Sequence, residues 1–270
     1  MAKKQDKKIH LLVIDPQNDF CDPNGSLCVP EADKDMARLT TFIAKQGKRF
    51  TKIHVTLDSH NEVDIAHPVF WKNQEGKNPE PFTIITLQDV EAGTWKAANP
   101  KLQARVKAYV TELYKNKRYP LCIWPPHCLI GSWGTQVVPE LRTELGKWAN
   151  DMFRTINWVA KGTNPFTEHY SPLKADVPDP TDPTTHLNTN LINLLQEADT
   201  ILLAGEASSH CVANAIRDIA TAFNSTTYIK KLVLLEDATS PVPGFETLAT
   251  DMVTEMKAKG MQVSNTIDWN

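Results

Sequence analysis

No run of the 270 residues is long and apolar enough to span a membrane, and the polar start Met1-Ala2-Lys3-Lys4-Gln5-Asp6-Lys7-Lys8 lacks the apolar region of a signal peptide. Residues 1–8 are expected to be disordered, and the protein cytoplasmic. Basic surface is missing too. Lys and Arg total 29 against 32 Asp and Glu, a formal net charge of -3, and no basic arm follows the first eight residues. A nucleic-acid partner is therefore not expected. The cysteines Cys21, Cys28, Cys122, Cys128 and Cys211 are odd in number and form no Cys-x-x-Cys pair. That argues against a disulfide framework and a thiolate zinc site, and for reduced thiols in the cytosol. Internal repeats and low-complexity tracts are absent.

What remains is an ordinary globular chain with an informative order of segments. A hydrophobic share of 41% at this length supports one sizeable core. Ile9–Ile14 is apolar and rich in β-branched residues, as in a strand buried on both faces of a parallel sheet. Asp33 is a plausible cap for a helix reaching Gly47. Residues 52–57 form a second strand, 155–160 a third, 200–204 a fourth, 231–235 a fifth and 261–263 a last short one. Helical spacing covers 102–114, 139–148 with Pro139 in its first turn, 190–198, Cys211–Phe223 and Glu246–Lys259. From 61 to 100 periodicity is weak, with several prolines and Phe70, Trp71, Phe82 and Trp95, and this stretch is expected to be a long excursion over the active face. Strands alternating with helices predict an α/β fold, with helices on both faces of a mostly parallel sheet.

The polar residues fall at the ends of these strands. Asp15, Asp58 with His60, Lys161 and Cys211 each follow an expected strand, and in an open parallel sheet those ends share one rim where ligands bind. Alone, Asp15 would read as a loop cap, Lys161 as a solvated charge and Cys211 as a buried structural thiol. Together they make a chemical set. Cys211 starts a helix, where the aligned peptide dipoles favour a thiolate. A carboxylate can take the thiol proton, and a lysine beside both stabilises the charges. Asp58-Ser59-His60 sets a carboxylate and an imidazole two apart in an extended segment, facing one side. With His67 and His127 it gives an oxygen-and-nitrogen ligand group suited to zinc, iron or manganese. His67 could equally be a surface loop histidine, whereas Pro125-Pro126 fixes where His127 points. His210 adjoins Cys211, but neighbours diverge at a helix start, so packing or capping fits it better than a base. His10, His54, His169 and His186 read as structural or solvent-facing.

Asp15-Pro16-Gln17-Asn18-Asp19-Phe20, Asp58-Ser59-His60, Trp124-Pro125-Pro126-His127-Cys128, Lys161-Gly162 and Ser209-His210-Cys211-Val212 resemble, in order, the motifs of nicotinamidases, within the isochorismatase-like cysteine hydrolases. The resemblance spans residues 9–263. It implies a three-layer α/β/α domain over 9–270 with a six-stranded sheet, and metal-dependent hydrolysis of nicotinamide to nicotinate and ammonia through a cysteine thioester. It further implies Cys211 as nucleophile, Asp15 as base and Lys161 as third member. Asp58, His60 and His127 correspond to metal ligands with zinc the leading metal, and His67 resembles an additional ligand of some members. Phe20 and Trp124 would flank the pyridine ring, with Tyr170 beside them. A cis peptide before Ala207 would turn the amides of Ala207 and Cys211 into an oxyanion hole. Relatives commonly form homo-oligomers. Two departures stand out: residues 73–119 form a family-divergent insertion, and Glu206 occupies a position usually apolar. Alternatives are another small amide or N-carbamoyl substrate, or a non-catalytic metal-binding protein of this fold.

Overall fold

A computed structural model describes residues 7–117 and 119–269; residues 1–6 of the expected disordered start lie outside it. Lys8 is tied down, its amide donating to Asp199 and its carbonyl accepting from Asp199 and Thr200. The main sheet has strands β1 (Ile9–Ile14), β2 (Phe50–Asp58), β3 (Asn157–Lys161), β4 (Thr200–Gly205), β5 (Leu232–Leu235) and β6 (Gln262–Ser264). Their spatial order is β6-β5-β4-β1-β2-β3, and every pairing is parallel. All six residues of β1, at the centre, are buried, which is why it reads as an unbroken apolar run rather than an alternating one.

The principal helices are α1 (Ala32–Gln46), α2 (Gln103–Asn116), α3 (Pro139–Met152), α4 (Thr189–Gln196), α5 (Cys211–Phe223) and α6 (Glu246–Lys259). Helices cover both faces of the sheet. Helix α1 packs against α3, and α5 packs against α4 and α6. No helix among the described residues is long and apolar enough to cross a membrane. Two expected boundaries shift. The residue before α1 is Glu31, in the left-handed region at φ 73 without a side-chain cap, so Asp33 lies inside the first turn, where its charge suits the helix dipole instead of capping it. The Asp15–Phe20 loop ends in a helical turn, Asn18–Cys21.

Weak periodicity between 61 and 100 has a simple cause: the strands there are two residues long. Trp71–Lys72 pairs antiparallel with Lys96–Ala97, and Ile84–Ile85 with Leu121–Cys122. Trp71 is fully buried and donates from Nε1 to the Ile65 carbonyl at 2.6 Å. Val106, Tyr109, Val110 and Leu113 of α2 join the same core cluster as the main strands.

Candidate active site

Register brings the site together. Asp58 and Lys161 are partners on β2 and β3, and Ile14, just before Asp15, is the partner of Gly205 at the end of β4. All four strand ends thus meet at one rim. Gly205 has to be glycine: its φ is +109, and a Cβ there would lie 2.0 Å from the Ile14 carbonyl oxygen. Beyond it the Glu206–Ala207 peptide is cis, as the resemblance implied.

Lys161 is the hub. Its Nζ lies 2.9 Å from Asp15 Oδ2, 3.0 Å from Asp58 Oδ1 and 3.7 Å from Cys211 Sγ, with the side chain 1% exposed. Asp15 is fully buried, and its other oxygen accepts from Thr56 Oγ1 at 2.5 Å. Burial pushes the Asp15 carboxyl above its usual range against the pull of Lys161. Burial would lower Lys161, but Asp15, Asp58 and Cys211 outweigh it and hold the ammonium charged. The Cys211 thiol is pushed well up by burial; Lys161 recovers part, and Asp15 and Asp58 push further. The dipole argument for a resting thiolate is therefore overturned: the enclosed site favours a neutral thiol beside a carboxylate able to accept its proton.

Asp58, His60 and His127 form the second half. Asp58 Oδ2 lies 3.1 Å from His60 Nε2 and 3.4 Å from His127 Nε2, and one ligand atom from each of the three falls within 4.8 Å of the others. His60 Nδ1 is 3.0 Å from Asp64 Oδ2, and His127 Nδ1 is 2.9 Å from the Pro125 carbonyl, so both Nε2 atoms are turned inward. His67 lies outside the three-residue group but is fully buried, with its ring centroid 5.1 Å from that of His60, and neither ring nitrogen has a hydrogen-bond partner among the described residues. A buried carboxylate, two inward imidazoles and an orphaned third imidazole fit a divalent metal.

Phe20, Trp124 and Tyr170 line a small cavity of about 30 Å³, with Cys211, Ala207 and the Asp58–His127 pair in its wall. Trp124 donates from Nε1 to the Tyr170 hydroxyl at 3.0 Å. A larger apolar groove beside Ile85, Val110 and Tyr119 lies apart from all of this chemistry, so size does not locate the site. His210 also lines the cavity, packed by Tyr119, Trp124, Tyr170 and Phe245. The packing expected of it is present, while it makes no side-chain cap.

Sequence reasoning missed several supports. Gln17 clasps Asp58, accepting from its amide and donating to its carbonyl, both at 2.7 Å. Asp19 accepts from the Cys128 amide at 2.6 Å and so holds the His127 loop. Both lie in the Asp15–Phe20 motif, whose density of polar residues was the available signal. Glu168, buried in the cavity wall with Oε2 unpartnered, sits seven residues past Lys161 in a stretch without periodicity, and nothing marked it.

No family model matches the chain. It is 25% identical over 255 residues to the nicotinamidase of Saccharomyces cerevisiae, covering 94% of this chain and 97% of that one. Over nearly its whole length the chain is thus similar to a nicotinamidase. The fold of the yeast nicotinamidase bound to the inhibitor nicotinaldehyde matches it with a TM-score of 0.65 at 22% identity, over 95% of this chain and 99% of that one. A pyrazinamidase of Pyrococcus horikoshii in complex with zinc matches with a TM-score of 0.56 at 20% identity, over 96% and 99%. The structural likenesses show the fold, and the geometry of this chain's own site rests on its residues.

Proposed function

We propose that the protein hydrolyses nicotinamide to nicotinate and ammonia, with Cys211 as nucleophile. The observation that carries this reading is Lys161, whose ammonium touches the Asp15 carboxylate, the Cys211 sulfur and Asp58 at once. A structural lysine has no need of a thiol at that point. The nicotinamidase likeness supports the substrate.

Asp15 takes the thiol proton as Sγ attacks the amide carbonyl carbon. The backbone amides of Ala207 and Cys211 hold the oxyanion, where each preorganised donor is worth about 3 kcal/mol. Asp15 returns the proton to the leaving nitrogen, ammonia departs and a thioester remains. Water then attacks the thioester, giving Asp15 a proton, and the acid leaves as the thiolate is reprotonated. Lys161 stays charged throughout and offsets the negative charge shared by Asp15 and Cys211. Phe20 and Trp124 hold the flat ring, with Tyr170 fixing the indole. Asp58, His60 and His127, with His67 beside them, would hold a divalent cation, zinc foremost. When bound it supplies Lewis acidity beside the ring-binding wall.

Ammonia release from nicotinamide is the test. Cys211→Ala is expected to abolish it while bound metal, read by elemental analysis, stays at the parent level. Turnover by that variant would sink the assignment.

A further inference from the structure

Glu206 and Asp35 form a buried acid pair outside the cavity lining. Glu206 is fully buried and Asp35 is 2% exposed. Ser240 bridges them: its amide donates to Glu206 Oε2 at 3.0 Å and its hydroxyl to Asp35 Oδ2 at 2.6 Å. Arg38 pairs with the other Asp35 oxygen and donates from Nε to the Asp237 carbonyl at 2.5 Å. The remaining atom, Glu206 Oε1, is buried and has no donor among the described residues. Two carboxyl groups face one guanidinium, and the other titratable group nearby is the buried thiol of Cys21 on the Asn18–Cys21 turn. The Asp237 carboxylate is taken up by Thr266. Charge and hydrogen-bond bookkeeping both close with one proton on Glu206, donated to Asp35. Burial and the Asp35 charge do hold the Glu206 carboxyl well above its usual range.

This pair joins two loops that face the reacting thiol. Ser208 N donates to the Ser240 carbonyl at 2.9 Å, and Val242 N to Ser209 Oγ at 3.0 Å. With the Ser240 amide on Glu206, three bonds fasten the segment before Cys211 to residues 240–242. Val242 lines the cavity, and Phe245 packs on Trp124 and His210.

We propose that Glu206 is a positioning residue: as a neutral acid bridging Ser240 and Asp35, it holds Val242 in the cavity wall beside Cys211, with Phe245 of the same loop packed on Trp124 and His210. The idea rests on the amidase reading for its kinetic consequence, though not for its structural one.

The test compares the parent with Glu206→Val and Glu206→Gln, using amide hydrogen exchange over residues 238–245 and nicotinamide kinetics. Valine leaves the Ser240 amide without its Glu206 acceptor and Asp35 without the Glu206 proton, though Ser240 and Arg38 still donate to Asp35. Exchange there is expected to quicken roughly tenfold, with KM rising by about the same factor and kcat changing less. A merely structural loss would lower kcat per milligram and leave KM alone. Glutamine supplies both a carbonyl and an N–H, and is expected to restore exchange and KM at neutral pH. As the pH is raised into the alkaline range the parent is expected to drift toward the valine values as Glu206 ionises against Asp35, while the glutamine variant does not. Parent-like exchange and KM in Glu206→Val, or a glutamine variant resembling valine at neutral pH, would overturn the proposal. If the valine variant does not fold, the alkaline comparison of parent with glutamine decides. If the parent releases no ammonia, the amidase reading fails while the exchange arm still judges the clamp.

Discussion

Strands β1 and β2 carry two buried polar clusters that solve the same problem differently. Near the start of β1 and the middle of β2, His10 and His54 meet at 3.2 Å between ring nitrogens, and Asn157 contacts the other side of His54 at 3.0 Å. Burial holds His10 at about 4 and His54 at about 3, so both stay neutral, satisfied by hydrogen bonds. At the C-terminal ends of the same strands, Asp15 and Asp58 face Lys161 as full charges. There the partners do not exhaust the donors and acceptors. Asp15 Oδ2 and Asp58 Oδ1 face Lys161, and among the described residues neither ring nitrogen of His67 has a hydrogen-bond partner. A cluster that closes on itself stabilises a fold; a cluster with valence to spare can bind and react.

Removing the hub should break this contrast most strongly. Lys161→Met leaves the buried Asp15 carboxylate without a counter-charge, and such a loss costs about 3–5 kcal/mol. Ammonia release should vanish as well. Urea unfolding provides the check, and an unchanged midpoint would mean that the rim is not held by charge. The next effect is smaller and confined to the imidazole side. Asp64→Ala frees His60 Nδ1 and removes the carboxylate that fixes which nitrogen points inward. Metal affinity is expected to drop about 10–100-fold, as for other outer-shell partners. Competition against a chelator measures it, and parent-like affinity would deny Asp64 that role.

How far each cluster could be read beforehand follows from the range of its contacts. Asp15, Asp58, Lys161 and Cys211 were legible because each closes an apolar run, and a parallel sheet sends all such closures to one rim. The six strands and the bounds of α5 and α6 were legible from periodicity. Glu206 was visible as an oddity, yet its partners Asp35 and Ser240 are distant in sequence and lie on other elements, so no local pattern could name them. The resting state of Cys211 was misjudged for a related reason. The helix start is local and readable, whereas burial and the carboxylates that outweigh it are set by packing. His10 and His54 sit in runs that read as plain core strand, and their mutual contact depends on the β1–β2 register.

That contact makes the last and smallest prediction. A group whose folded pKa lies below its unfolded value contributes nothing above the unfolded value. As pH falls below it, the unfolded chain binds a proton that the native state refuses, and stability is lost until the folded pKa is reached. For His54 that window runs from the ordinary histidine value of 6.5 down to about 3, and for His10 from 6.5 to about 4. Each group should therefore remove about 1 kcal/mol per pH unit inside its window. His169 and His210, also held low by burial, add to the same slope. His54→Gln deletes one contributor and keeps a side chain able to bond Asn157. Urea unfolding at pH 7.5 and pH 5.5 should show the parent losing about 1 kcal/mol more than the variant. Equal losses would mean that the pair accepts a proton in the native state, and the inner cluster would then be no more closed than the rim.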